Sequence, residues 1–226
     1  MRGRIHNYVE LGSTQDEARR LLQNGQATVG DAIACERQSA GRGRFGRQWI
    51  SPAGGLYATF IMESHPLISL RVAVSIADTL NRRGLEVGLK WPNDMVVGEK
   101  KVGGILVESA DAVALVGVGI NLANAPIATA TSVRAQGVML DRCLLLGEIM
   151  EDFAREPRCA LLDAYRELST TLGRTVRIEQ RSRTIVGQAI DVDDMGQLVV
   201  ATEHERCVIS SGECVHLRIS PLRNCS

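Results

Sequence analysis

The sequence predicts an α+β domain, a mixed β-sheet flanked by helices, followed by a small β-barrel. Three observations carry this. Residues 1–172 interleave apolar spacings of helical period with strand-like alternation. After Gly173 the helical spacings stop, and short β-prone runs alternate with polar turns. A chain of 226 residues, 45% of them hydrophobic, is long enough for one large domain and a small one. The expected division is 1–172 and 173–226.

The first helix is expected at Thr14-Gln15-Asp16-Glu17, which has the form of a capping box with Thr14 answered by Glu17. Ala18, Leu21 and Leu22 give its apolar stripe, and Asn24-Gly25 is a stop signal. Asp31 to Glu36 reads as a short strand. Gly55 to Met62 reads as a second, with Leu56, Ala58, Phe60 and Met62 on one face. Leu70, Val74, Ala77 and Leu80 carry helical spacing across 67–83, which ends before Gly84. Val87 to Trp91 is a strand stopped by Pro92. Met95 to Val97 and Val102 to Glu108 form a hairpin around Gly98-Glu99-Lys100. Ala112 to Ile120 is a further strand, and 141–172 is mostly helical. Beyond it, Thr175 to Ile178, Thr184 to Val192, Gln197 to Val200 and Cys207 to Ile209 are short strands. Four or five strands in so short a stretch predict a small barrel.

Composition excludes several function classes. The 26 basic residues balance the 26 acidic ones, which argues against a dedicated DNA binder. No apolar run is long enough for a membrane span, and the N-terminus has no apolar signal core. Cys35, Cys143, Cys159, Cys207, Cys214 and Cys225 are scattered without a Cys-x-x-Cys pair, so they read as free thiols of a cytoplasmic protein. His204 and His216 complete no zinc-ligand spacing. Lys90, Lys100 and Lys101 are the three lysines of the chain. Where arginine serves almost everywhere else, a retained lysine points to a place for a compact charge on a flexible stem.

The chemistry-bearing segments follow one another in order. Glu36 to Trp49 contains Gly41, Gly43 and Gly46 among Arg37, Arg42, Arg44 and Arg47. Glycine lets backbone approach a ligand, and arginine grips carboxylate and phosphate, so such a loop suits closure over an anion. A solvated basic loop is the plainer reading of this segment alone, and an Arg/Gly contact to nucleic acid is another. Downstream come Lys90-Trp91-Pro92-Asn93-Asp94, then Lys101-Val102-Gly103-Gly104-Ile105, then Gly117-Val118-Gly119-Ile120-Asn121. Paired glycines in strands mark close approach of a ligand.

These four segments, with Ser13-Thr14-Gln15 ahead of them, resemble the catalytic domain of biotin protein ligases. With the first motif starting at Ser13, the resemblance is to the short class without an N-terminal DNA-binding domain. It implies a class II synthetase-like catalytic fold, an SH3-like C-terminal barrel, ATP and Mg²⁺, and a biotin carboxyl carrier protein as partner. It also implies a homodimer. The reaction joins the biotin carboxylate to the α-phosphorus of ATP and then passes the biotinyl group to a lysine.

Residue by residue, the resemblance places Lys101 between the biotin carboxylate and the α-phosphate, with Arg44 closing over both and Lys90 in the electrostatic framework. Ser13, Thr14, Gln15 and Gln38 supply uncharged donors and acceptors for the neutral ureido group. Gly41, the Arg42 backbone, Gly43, Trp49, Gly104 and Gly117 line the biotin site, with Gly103 and Gly119 completing a flat wall. Arg47, Asn93 and Asp94 face the nucleotide, Asp94 holds Mg²⁺, and Asn121 pairs with the adenine edge. Plainer readings stand beside these: Ser13 or Thr14 as a helix cap, Trp49 as core, Lys101 as a surface lysine at a hairpin end. The segment 122–137 offers no aromatic to cover the adenine. A lipoate or octanoyl transferase shares the expected fold. A non-catalytic biotin or nucleotide sensor is the third reading.

Overall fold

The structure, a computed structural model, describes residues 3–110, 112–153 and 160–217. Its larger part is a seven-stranded sheet in the order β1-β2-β3-β7-β6-β5-β4. Strand β1 (Ile5–Leu11) runs parallel to β2 (Ala32–Gln38) and forms one edge. The others pair antiparallel: β3 (Leu56–Glu63), β4 (Gly88–Lys90), β5 (Asp94–Val97), β6 (Lys100–Ala110) and β7 (Val113–Ile120).

Helix α1 (Thr14–Gln23) lies on one face and buries Ala18 and Leu21 against Ile33, Ile61 and Leu115. Helix α2 (Ile68–Arg82) covers the other face and buries the predicted Leu70, Val74, Ala77 and Leu80. β3 is therefore buried on both faces. Phe60 and Ala58 meet α2's cluster, and Ile61 meets α1's. That two-sided burial explains why β3 and β7 read as nearly continuous apolar runs.

The start of α1 differs from the expected capping box. Ser13, in extended conformation, is the N-cap, and its hydroxyl accepts from the Gln15 N–H. The Glu17 carboxylate does not reach back to the cap. It accepts from Arg20 and from the Tyr8 hydroxyl, because β1 places Tyr8 beside it. The chain leaves the helix at Asn24 and turns through Gly25 at φ 66°, as its stop signal predicts.

The segment expected to be mostly helical gives α3 (Arg142–Phe153) and α4 (Leu161–Leu168), with residues 154–159 outside the described residues. The Asp141 carboxylate accepts from the Cys143 and Leu144 N–H groups at the start of α3. Cys35, Cys143, Cys207 and Cys214 are free thiols; Cys159 and Cys225 lie outside the described residues.

The C-terminal part is a five-stranded antiparallel sheet in the order β11-β10-β9-β8-β12. Its strands are β8 (Thr175–Glu179), β9 (Thr184–Val192), β10 (Leu198–Ala201), β11 (Arg206–Ile209) and β12 (Glu213–His216). A register shift at Val199/Val200 bends it. Val176, Ile178, Ala189, Val192, Leu198 and Val200 are buried. They belong to the same apolar cluster as α2 and Trp91. The seam is polar as well as apolar: the Trp91 indole donates to the Gly196 carbonyl, and the Trp91 N–H to the Thr171 hydroxyl.

Candidate functional site

A cavity of about 350 Å³ opens where α1 begins, above β6 and β7, under the Gly/Arg loop and against the turn before β12. It has an uncharged end and a charged end.

The uncharged end is a hydrogen-bond chain. Gln38 Oε1 accepts from the Thr14 N–H at 2.8 Å and from the Thr14 hydroxyl at 3.2 Å. Thr14 Oγ1 in turn accepts from the fully buried Thr59 hydroxyl at 2.8 Å. Gln38 Nε2 donates to Ser51 Oγ. Gln15 Nε2 donates to the Leu106 and Leu115 carbonyls, while its Oε1 is buried with no partner. A buried acceptor left unmatched is costly unless a ligand N–H meets it. The helix cap and the polar lining are thus both present in Ser13-Thr14-Gln15.

The floor is glycine. Gly104 and Gly119 are directly opposed in the β6–β7 register, and Gly117 opposes Leu106. A Cβ on Gly119 would sit 2.4 Å from Trp49 Nε1, one on Gly104 3.2 Å from Lys101 Nζ, and one on Gly117 3.1 Å from Gln15 Nε2. The missing side chains are what let these groups lie flat on the sheet. Gly103 does not join the wall. Strand alternation turns it to the opposite face, where a Cβ would meet Met95 and Ile120. Trp49 is neither pure core nor free: it is half-buried over Gly119, and its Nε1 is buried without an acceptor.

The charged end gathers around Lys101. Its ammonium donates to Asp94 Oδ1 at 2.5 Å and lies 5.2 Å from the Trp49 ring centroid. β5 and β6 shift register between Met95 and Val96. Lys90 stands opposite Asp94 in the β4–β5 register and lines the cavity. Arg44 lies over the Phe45 ring and donates to Asn93 Oδ1 and the Gly212 carbonyl, each at 3.4 Å. Burial pushes its pKa down, and Asp94 opposes that shift. Arg47 pairs with Glu213, which raises the Arg47 pKa and lowers that of Glu213.

Three residues have partners that the sequence did not specify. Asn93 lines the cavity, but its Nδ2 donates to the Ile105 carbonyl at 2.6 Å and its Oδ1 accepts from Arg44, so its amide braces the turn. Asn121 is 2% exposed, lies outside the cavity lining, and spends its Nδ2 on the Thr131 carbonyl. Its Nδ2 is thus engaged within the chain. The Arg42 side chain turns outward to Asp16 and Glu108, although its backbone stays at the rim. Gly41 is buried beneath the rim, where a Cβ would be 2.5 Å from the Trp49 carbonyl oxygen. Gly43 lines the cavity, and its N–H donates to the Arg47 carbonyl.

The sequence did not point to Phe45, Ile127, Gly212 or Glu213, all of which line the cavity. Phe45 is 59% exposed at φ 58°, a backbone region unusual for an aromatic residue. Gly212 and Glu213 arrive from a distant part of the chain, and no local spacing signals that. Among the described residues, no group of three or more His, Cys, Asp or Glu side chains is placed to hold a metal ion.

Comparison with known proteins identifies the family. Residues 11–123 match the biotin/lipoate A/B protein ligase family, and residues 171–217 the biotin protein ligase C-terminal domain. The chain is 31% identical to the biotin–[acetyl-CoA-carboxylase] ligase of Mycobacterium tuberculosis, covering 92% of this chain and 87% of that one. It is 33% identical to the ligase of the same name from Paracoccus denitrificans, covering 89% and 95%. The biotin protein ligase from Aquifex aeolicus in complex with biotin and ATP superposes with a TM-score of 0.80 at 27% identity, over 96% of this chain and 99% of that chain. The chain belongs to the biotin protein ligase family.

Proposed function

We propose that this cavity activates biotin with ATP, forming biotinyl-5′-adenylate and pyrophosphate, and then transfers the biotinyl group to a lysine of a carrier domain. The observation that supports this most is the division of one cavity into a neutral end and a cationic end, with Lys101 beneath the junction. A bicyclic ureido ring needs neutral donors and acceptors, which Ser13, Thr14, Gln15 and Gln38 supply. The unmatched Gln15 Oε1 is the acceptor for a ureido N–H. The biotin tail then runs along the Gly104–Gly119 floor beside Trp49, and its carboxylate reaches Lys101.

Two anions must meet for the first step. Lys101 neutralises both, with Arg44 above them and Lys90 and Arg47 towards the phosphates. The Lys101–Asp94 contact keeps the ammonium placed until substrates arrive. Biotin carboxylate oxygen attacks the α-phosphorus in line, the bond to the β-phosphate oxygen breaks, and pyrophosphate leaves. In the second step the carrier amine attacks the biotinyl carbonyl, AMP leaves, and the amine's proton passes to solvent.

Asp94 is the carboxylate that would hold Mg²⁺. That ion borrows few protein ligands and keeps waters and phosphate oxygens, so one carboxylate fits it. The ion would supply neutralisation of phosphate charge there. Ile127, 52% exposed at the cavity rim, supplies an apolar cover for the adenine in a segment without aromatics. The scattered cysteines, free thiols where described, support a reducing, cytoplasmic setting.

The test is direct. The purified protein, biotin and Mg-ATP should give biotinyl-adenylate by mass spectrometry, and adding a biotin carboxyl carrier domain should consume it. Lipoate in place of biotin should give no acyl-adenylate. Equal use of lipoate would overturn the choice of substrate.

A further inference from the structure

The Gly/Arg loop has a closed neck and a tip that reaches over the cavity. At the neck Arg42 bridges Gln48, the Trp49 N–H donates to the Gly41 carbonyl at 2.9 Å, and the Gly43 N–H to the Arg47 carbonyl at 2.7 Å. The tip, Arg44–Gly46, is a single turn carrying Phe45. Backbone bonds from the Ser39 N–H to the Leu11 carbonyl and from the Ala40 N–H to the Gly12 carbonyl lead into the neck, and its side-chain tie to α1 is made at Asp16, outside the cavity lining. Both oxygens of Asp16 accept from the Arg42 guanidinium, at 2.7 and 2.8 Å. The same guanidinium stands 3.5 Å from Glu108 on β6, and Arg19 on α1 holds Glu108 from the other side at 3.0 Å. Four side chains therefore join α1, the loop neck and β6, three of the elements around the neutral end. Asp16 directly follows Ser13-Thr14-Gln15, so the clamp grows from the same helical turn that lines that end.

We infer that Asp16 is a positioning residue. By gripping Arg42 in a two-pronged pair, it fixes the neck of the Gly/Arg loop to the first turn of α1, so that occupancy of the neutral end and closure of the loop become one event. This rests on the ligase reading of the cavity. It assigns the Arg42 side chain a task away from the ligand and names a residue that never touches substrate.

The geometry also sets the size and kind of effect. A two-pronged guanidinium–carboxylate pair fixes direction as well as distance. Yet the Arg42 side chain is 37% exposed and that of Asp16 61%, so salt screens the pair and its energetic weight is small. Its influence belongs in how long the loop stays shut over the adenylate, with little in the rate of the chemistry beneath. Helix α1 keeps Glu17 in its first turn without Asp16, so the helix itself does not depend on the pair.

The test compares wild type with Asp16→Asn and Asp16→Glu. Biotinyl-adenylate is first formed on each protein from biotin and Mg-ATP, and its dissociation is followed in a chase with excess unlabelled biotin. Asp16→Asn should release it about fivefold faster, the scale of a partly exposed charge pair. The single-turnover rate of adenylate formation at saturating substrates and the melting temperature should stay unchanged. Asp16→Glu should restore most of the retention. About 0.5 M salt should bring wild type towards Asp16→Asn while hardly affecting the variant. Equal retention by wild type and Asp16→Asn would overturn the inference, as would an Asp16→Glu variant no better than Asn. A parallel fall in melting temperature would reduce Asp16 to a structural role and overturn it too. If wild type forms no biotinyl-adenylate at all, it is the ligase reading that fails, and that outcome is seen before any variant is compared.

Discussion

Gly119 shows most plainly how one residue serves the site. Its missing side chain is the space the Trp49 indole fills, since a Cβ would lie 2.4 Å from Nε1. Gly119→Ala should therefore push Trp49 off the floor and weaken biotin binding at least tenfold, or about 1.4 kcal/mol, with the fold retained. Isothermal calorimetry with biotin alone checks this, and an unchanged affinity would free the floor of its assigned task. Arg44 is held in the opposite way, by Phe45, Asn93 and the Gly212 carbonyl. Arg44→Gly should remove the charge proposed to lie over the anhydride and let adenylate escape. Incubating the variant with biotin, ATP and a lysine-rich bystander protein should label the bystander more than wild type does, at matched adenylate production. Equal labelling would contradict the loop's role as a lid. The chain itself carries few targets, because Lys90 and Lys101 line the cavity and only Lys100 stands exposed.

At the scale of elements, the turn into β12 and the loop before β8 join the two sheets through titratable groups. His216 faces the Thr171 hydroxyl at 3.1 Å, and Thr171 also receives the Trp91 N–H. Burial, then the charges of Lys90 and Arg174, push the His216 pKa down from 6.5 to about 4. A base whose folded pKa lies below its unfolded value is protonated more readily in the unfolded chain. Its contribution to stability is therefore complete above pH 6.5 and is lost as pH falls from there towards 4. Denaturant midpoints should decline across that window in wild type, and His216→Gln should flatten the decline. A slope identical in both would assign the loss to other groups.

Much of the fold was legible at this scale, for physical reasons. Leu70, Val74, Ala77 and Leu80 reveal α2 because a helix packed on one face must repeat its apolar positions. Gly98-Glu99-Lys100 reveals the β5–β6 turn through its glycine. β1 was not legible: it lies at the sheet edge, Ile5 and Val9 stay exposed, and its alternation is blurred. The four-residue β12 was missed for a similar reason, with only Cys214 buried along it. The site motifs were legible because glycine and lysine stand out in an arginine-rich chain. The outward turn of Arg42 and the arrival of Glu213 were not, since both depend on partners far away in sequence.

On the scale of the whole molecule, the two sheets share one apolar cluster. Trp91, α2 and Val176, Ile178 and Val200 of the second sheet belong to it together. Truncation after Leu172 would strip that cover from Trp91 and remove the Gly196 carbonyl that its indole meets. It would also free Arg44 and Arg47 from Gly212 and Glu213. The truncated protein should melt lower than the full chain and lose nucleotide affinity more than biotin affinity. Equal loss of both ligands by calorimetry would contradict the placing of the neutral end within residues 13–119.

The account as a whole turns on Lys101 as the charge that lets two anions meet. Biotin-dependent exchange of pyrophosphate into ATP, compared in wild type, Lys101→Ala and Lys101→Arg, tests it most directly. Both variants should keep the melting temperature of wild type, because Lys101 is part-exposed and its one carboxylate partner among the described residues is Asp94. Lys101→Ala should lose exchange by at least about a thousandfold, some 4 kcal/mol of barrier. Lys101→Arg should also fail, since a planar fork does not replace a compact ammonium. Exchange by Lys101→Ala within about tenfold of wild type, a barrier change under about 1.4 kcal/mol, would contradict the account.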